Sequence, residues 1–112
     1  MERNNNITVR QILDFIGSIE NYIQGKTFAD FENEELLQDG VLRKLELIGE
    51  AMKRLTPEFV QKHTDLPFRE ASDTRNKLIH DYDDVDLKIV WDTITVDLPA
   101  LKTLLSQIAL SE

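Results

Sequence analysis

Within one short stretch, Arg75-Asn76-Lys77-Leu78-Ile79-His80-Asp81-Tyr82, the chain sets a fixed cation, a titratable imidazole and a phenol. Arginine presents a planar fork of donors that matches phosphate oxygens. Histidine has the unperturbed pKa nearest neutrality and can give or take a proton at cellular pH. Together they suit phosphodiester chemistry: Arg75 to hold a phosphate and stabilise charge developing on its oxygens, His80 to move protons, and Asn76 to orient or bind a neighbouring group. At about 100° per residue, five steps along a regular helix place Arg75 and His80 roughly 140° apart. They therefore cannot share one face of a regular helix. His80 fits the last turn before the acidic run 81–84, where the helix dipole and Asp81 would favour the imidazolium. On local sequence alone a plainer reading stands beside this one, with His80 capping its helix and Arg75 paired to Asp73 or Glu70.

The elements that must carry this trio are helical. Ile7, Ile12, Phe15, Ile16, Ile19, Tyr22 and Ile23 recur at helical spacing, and Gly25 is placed to end the element. Residues 27–33 read as a loop anchored by Phe28 and Phe31. A long apolar stripe from Leu36 to Leu55 then draws a second helix, with Gly40 and Gly49 inside it as expected points of close packing. Thr56-Pro57 is a helix start, with Thr as N-cap and Pro where its missing N–H is not needed, and the short helix it opens runs to about His63. Asp65-Leu66-Pro67 restarts the chain, and Phe68, Ala71, Leu78 and Ile79 support a further helix as far as the motif. Asp86 should cap the last helix, whose apolar positions continue to Ile108. Pro99 lies inside that run, so a kink is expected there, with Asp97 capping a new start. Trp91 reads as core or interface. No β-alternation is present. The expected fold is all-α, an up-and-down bundle of four to five helices, as a single domain over residues 1–112.

Composition narrows the function. There is no cysteine, so disulfide frameworks and thiolate metal sites are excluded. No apolar run approaches the roughly 20 residues that span a bilayer, and the first residues lack a signal-peptide layout, so a cytoplasmic protein with no membrane partner is expected. The net charge of −8 argues against broad nucleic-acid binding but not against a local phosphate site. Cations gather at Arg43, Lys44, Lys53, Arg54, Arg69, Arg75 and Lys77. Carboxylates concentrate at residues 32–35 and 81–86. The run Asp81-x-Asp83-Asp84-x-Asp86 lacks the central glycine and terminal glutamate of a calcium loop and reads as a solvated turn with a helix cap. No metal or other cofactor is called for. Glu50 reads as a partner of Arg54 one turn on or as an acidic member of a cleft, and His63 as an exposed cap.

From Leu45 to Leu105 the chain resembles the HepT-like toxins of the HEPN ribonuclease superfamily. The resemblance rests on Ile48-Gly49-Glu50-Ala51, Leu66-Pro67-Phe68-Arg69, Arg75-Asn76 with His80 and Tyr82, and Val85-Asp86 followed by Val90-Trp91. It implies a helical HEPN fold and a metal-independent endoribonuclease with Arg75 and His80 catalytic at a composite site of a homodimer. It also implies the toxin half of a type II toxin–antitoxin pair. Its partner would be an MntA-type minimal nucleotidyltransferase antitoxin that adenylylates Tyr82. Members of that family often carry glycine between the histidine and the tyrosine, whereas this chain has Asp81. A different class of function, a helical docking module that binds such a nucleotidyltransferase without cutting RNA, differs in one respect: it would be indifferent to loss of His80.

Overall fold

A computed structural model describes residues 3–66 and 85–110, and among them every regular element is helical. The first helix, α1 (Arg3–Ile23), buries Val9, Ile12, Ile16 and Ile19 completely, a 3-4-3 spacing that keeps all four on one stripe. Each contributes about 1.5–3 kcal/mol by leaving water. Gly25 ends the run as its sequence position requires: it adopts φ +73°, a left-handed conformation that glycine enters without the Cβ penalty.

The stretch expected to be a loop is instead a short helix, α2 (Phe28–Asn33). A reciprocal capping box holds its start. The Thr27 hydroxyl accepts from the Asp30 N–H at 3.2 Å, while the Asp30 carboxylate accepts from the Thr27 N–H at 2.9 Å. The Thr27 backbone bond, followed by its hydroxyl, holds the Asp30 carboxyl below its ordinary pKa. Six residues cannot sustain a helix by propensity. What fixes this one is Phe31, fully buried, with its ring centroid 5.5 Å from that of Trp91. The Phe28 ring also meets the indole, with centroids 6.3 Å apart. Trp91 is thus half-buried at the edge of the core, one of its two expected places.

Helix α3 (Glu35–Lys53) packs along α1 and buries Val41, Leu45, Ile48 and Met52 at 4-3-4 spacing. Gly49 is buried on this helix, in line with close packing. Gly40 is different. A Cβ there would stand 3.5 Å from the Tyr22 ring, an ordinary contact, so no steric demand holds it as glycine, and its effect is to leave space beside Tyr22. Helix α4 (Pro57–Lys62) begins as the sequence indicates, with the Thr56 hydroxyl accepting from the Phe59 N–H at 3.3 Å.

The C-terminal helical run comprises α5 (Leu87–Asp92), a π-turn (Thr93–Asp97) and α6 (Leu98–Leu110). The expected new N-cap at Asp97 does not form, since Asp97 closes the π-turn. Pro99 lacks an N–H and its ring crowds the carbonyl four residues back, that of Thr95. Widening the preceding turn relieves both problems: the Leu98 N–H reaches back to the Thr93 carbonyl. The Thr95 and Thr93 hydroxyls donate to the Trp91 and Ile89 carbonyls, at 2.7 and 2.9 Å. Val90, Ile94, Leu98, Leu101, Leu105 and Ile108 therefore stay on the core side throughout. An ion pair of 3.0 Å between Lys102 and Glu20 links α6 to α1 across the surface.

The result is an all-α bundle around one apolar cluster to which α1, α2, α3, α4, α5 and α6 all contribute. Among the described residues, no helix is long and apolar enough to cross a membrane.

Candidate functional site

Arg75, Asn76, His80 and Tyr82 lie outside the described residues, as does the helix expected between Pro67 and the motif. What the structure defines is the frame on either side. On the entering side the key contact is between residues 51 apart. Asn5, near the start of α1 and only 3% exposed, donates from Nδ2 to the Thr56 hydroxyl at 2.9 Å and accepts from the Thr56 N–H on Oδ1 at 3.1 Å. Thr56 thus makes four hydrogen bonds at once: two with Asn5, one from the Phe59 N–H to its hydroxyl and one from the Val60 N–H to its carbonyl. The first turn of α4 is pinned to α1 before the chain proceeds toward the motif.

Phe59 then anchors α4 in the core, and the His63 ring packs on it with centroids 4.4 Å apart. His63 is the C-cap of α4, half-buried rather than exposed, and its carbonyl accepts from the Leu66 N–H at 3.1 Å. Leu66 is buried in the same apolar cluster. On the leaving side, Val85 packs against that cluster and Asp86 caps α5, its Oδ1 accepting from Lys88 N–H at 2.9 Å and Ile89 N–H at 3.3 Å. Residues 67–84, which carry the motif, are therefore bounded by Leu66 and Val85, both seated against one core.

Several cations line the elements leading into this frame. Lys53 ends α3, Arg54 is its C-cap, and Lys62 ends α4. Arg54 donates to Gln11 Oε1 on α1 at 3.0 Å, so the bond made by its guanidinium runs across helices, and Glu50 is half-buried on α3. Earlier on α3, Arg43 pairs with Glu46 at 3.4 Å and Lys44 lies over the Phe15 ring at 5.4 Å. Among the described residues, no group of three or more histidines and carboxylates is placed to hold a metal ion.

Thr56 was legible as a cap, but its partner was not. Asn5 sits in the run Asn4-Asn5-Asn6, which has no local signature for a contact 51 residues away.

A helical domain with an Arg-x4-His-x-Tyr segment between two core anchors defines a class, and comparison with known proteins defines the family. The model of the family described as "Ribonuclease HepT-like" matches residues 12–108. Among curated proteins, the chain is 37% identical over 102 residues to one of Thermococcus cleftensis named "Probable ribonuclease HepT", covering 91% of this chain and 93% of that protein. It is 39% identical over 90 residues to a "Putative RNase" of Caldanaerobacter subterraneus subsp. tengcongensis, covering 80% of each. It is 40% identical over 102 residues to a Methanocaldococcus jannaschii protein named "Gamma-glutamylcyclotransferase and putative RNase", where it covers 91% of this chain but spans only 46% of that longer protein. No solved structure matches. The chain belongs to the HepT-like ribonuclease family.

Proposed function

We propose that this chain is a metal-independent endoribonuclease acting as the toxin of a type II toxin–antitoxin pair, with Arg75 and His80 as its catalytic residues. The supporting observation is the family match over residues 12–108, which runs through the Arg75-x4-His80-x-Tyr82 segment and includes both of its core anchors.

In this reading a ribose 2′-oxygen attacks the adjacent phosphorus and the bond from phosphorus to the 5′-oxygen breaks. One His80 imidazole takes the 2′-hydroxyl proton, and a second His80, as imidazolium, gives a proton to the leaving 5′-oxygen. Arg75 carries the charge that builds on the non-bridging oxygens, and Asn76 holds the phosphate. The products are a 2′,3′-cyclic phosphate and a 5′-hydroxyl end. Each chain supplies one motif histidine, and pairing two copies would bring two His80 side chains to one site, so a homodimer with a composite site is part of the proposal. The partner is an MntA-type nucleotidyltransferase antitoxin. The Tyr82 hydroxyl attacks the α-phosphorus of ATP, pyrophosphate leaves and the phenol proton passes to water, placing a charged nucleotide two residues from His80 where it repels RNA. The protein acts in the cytoplasm, where RNA and ATP are both present. Asp81, Asp83 and Asp84 beside the motif oppose an incoming phosphate and make the enzyme slow.

The test is cleavage of a mixed RNA substrate by the purified, unmodified chain in EDTA, with His80→Ala and Arg75→Ala alongside. The expected result is cutting by the wild type and at least a hundredfold loss in each variant, with circular dichroism unchanged. Equal inertness of all three folded proteins would favour a non-catalytic docking module.

A further inference from the structure

A groove of about 660 Å³ opens between the end of α1 and the first turns of α3, at the opposite end of α3 from the cap that leads toward the motif. Tyr22, Leu36 and Leu37 supply apolar surface there, and Gly40 leaves the space between them unfilled. Leu36 is 86% exposed and Tyr22 40% exposed. Leu37, one residue on, turns inward against the core, so the exposure of Leu36 is a property of its face of the helix.

The α3 side of the groove, with Glu34 and Glu35 in its lining, belongs to an acidic stretch of chain. From residue 30 to residue 42 the chain carries Asp30, Glu32, Glu34, Glu35 and Asp39 and no lysine or arginine. Among the described residues, the cation lining the groove is Lys26, and it is engaged with Glu34, its Nζ standing 3.2 Å from each carboxylate oxygen. Helix α3 begins with no side-chain cap, leaving its first-turn N–H groups to water or to a carbonyl oxygen of an incoming segment.

We propose that this groove docks a positively charged amphipathic segment of another protein. One apolar side chain of the segment seats over Gly40 between Tyr22 and Leu36, and flanking lysines or arginines meet Glu35, Asp39 and Glu32. Charge complementarity selects this occupant. Nucleic acid would approach a stretch carrying five carboxylates, of which Glu34 and Glu35 line the groove, and a second copy docking face to face would bring two such acidic stretches together. The segment needs both features: apolar surface to cover Leu36 and positive charge to offset the rim. This inference does not depend on the ribonuclease reading, because none of the described residues lining the groove is assigned to catalysis and its test involves no RNA.

The test uses the full-length chain and a fluorescent Leu/Lys amphipathic peptide about four helical turns long, with a Ser/Lys peptide of equal charge as control. Fluorescence anisotropy should show saturable binding of the Leu/Lys peptide and at least tenfold weaker binding of the control. Leu36→Ser and Gly40→Gln should each weaken binding tenfold or more, the second by filling the space while leaving every charge in place. Because a Cβ at Gly40 meets only ordinary contacts, Gly40→Gln should fold normally. Val96→Ser, which changes an exposed apolar residue on the π-turn, should leave binding unchanged. Equal binding by wild type, Leu36→Ser and Gly40→Gln would overturn the proposal by showing non-specific charge attraction. Sedimentation in which Leu36→Ser turns a dimer into a monomer would overturn it by assigning the groove to a second copy.

Discussion

Asn5→Ala is the substitution that most directly probes how α4 is held ahead of the motif. It removes two hydrogen bonds, at 2.9 and 3.1 Å, from a side chain that is 3% exposed. A typical hydrogen bond contributes about 0.5–1.5 kcal/mol net, and the Thr56 N–H loses its acceptor in a part-buried position, so the expected cost is about 2–3 kcal/mol. That is a large share of the roughly 5–15 kcal/mol that holds a domain folded. Thr56→Ala should cost about 1–2 kcal/mol through loss of the cap and of the bond from Asn5. Because the two residues share bonds, the double variant should cost about 1 kcal/mol less than the sum. Urea denaturation at one fixed protein concentration is the assay, with the Asn5→Ala midpoint falling by about 1 M at an unchanged slope. Stability of Asn5→Ala within about 0.5 kcal/mol of wild type, or full additivity in the double variant, would refute the clamp.

Three other outcomes follow from the same geometry. Phe31→Ala removes a fully buried ring that joins α2 to Trp91 and should cost about 3–5 kcal/mol, with tryptophan fluorescence shifting to the red; an unshifted spectrum would place Trp91 elsewhere. The Asp30 carboxyl, held low by the Thr27 backbone bond, should titrate in the folded protein below its ordinary value when followed by NMR. A carboxylate whose folded pKa is lowered stabilises the fold above its unfolded pKa and loses that contribution as pH falls through the folded one, so α2 should loosen as pH drops below the ordinary aspartate range, and Asp30→Asn should remove this acid-dependent step. With the nucleotidyltransferase and ATP present, the wild-type chain should gain the mass of one AMP group and stop cutting RNA, whereas Tyr82→Phe should gain none and keep cutting. Modification of Tyr82→Phe to the same extent would move the site to another residue.

How much of this was legible in the sequence depended on whether the cause was local. Gly25, Thr56-Pro57 and Asp86 mark helix ends by their own backbone and side-chain chemistry, and each does so in the structure. Helix α2 reads as a loop in the sequence because six residues show no periodicity, although Thr27 and Asp30 stand at capping-box spacing with aspartate in the place usually taken by glutamate. At Pro99 the presence of an irregularity was legible but its form was not. How the chain accommodates a proline within a helix depends on which local geometry keeps Ile94 and Leu98 in the core, and that is decided by packing against the other helices. The bond between Asn5 and Thr56 is wholly non-local and left no trace in either neighbourhood. The candidate site is the reverse case. Arg75, Asn76, His80 and Tyr82 were legible as residue types at a particular spacing, while the described structure supplies their anchors, Leu66 and Val85.

The central claim is that His80 moves protons for attack by the ribose 2′-hydroxyl, and product chemistry tests it most directly. A single-cut RNA oligonucleotide and its counterpart with 2′-deoxyribose at the cut position would be incubated with wild type and His80→Ala in EDTA, and the ends identified by mass spectrometry. The account predicts a 2′,3′-cyclic phosphate and a 5′-hydroxyl from wild type on RNA, and no product from the deoxy substrate or from the variant. Cutting of the deoxy substrate, a 5′-phosphate end, or undiminished cutting by His80→Ala would contradict it.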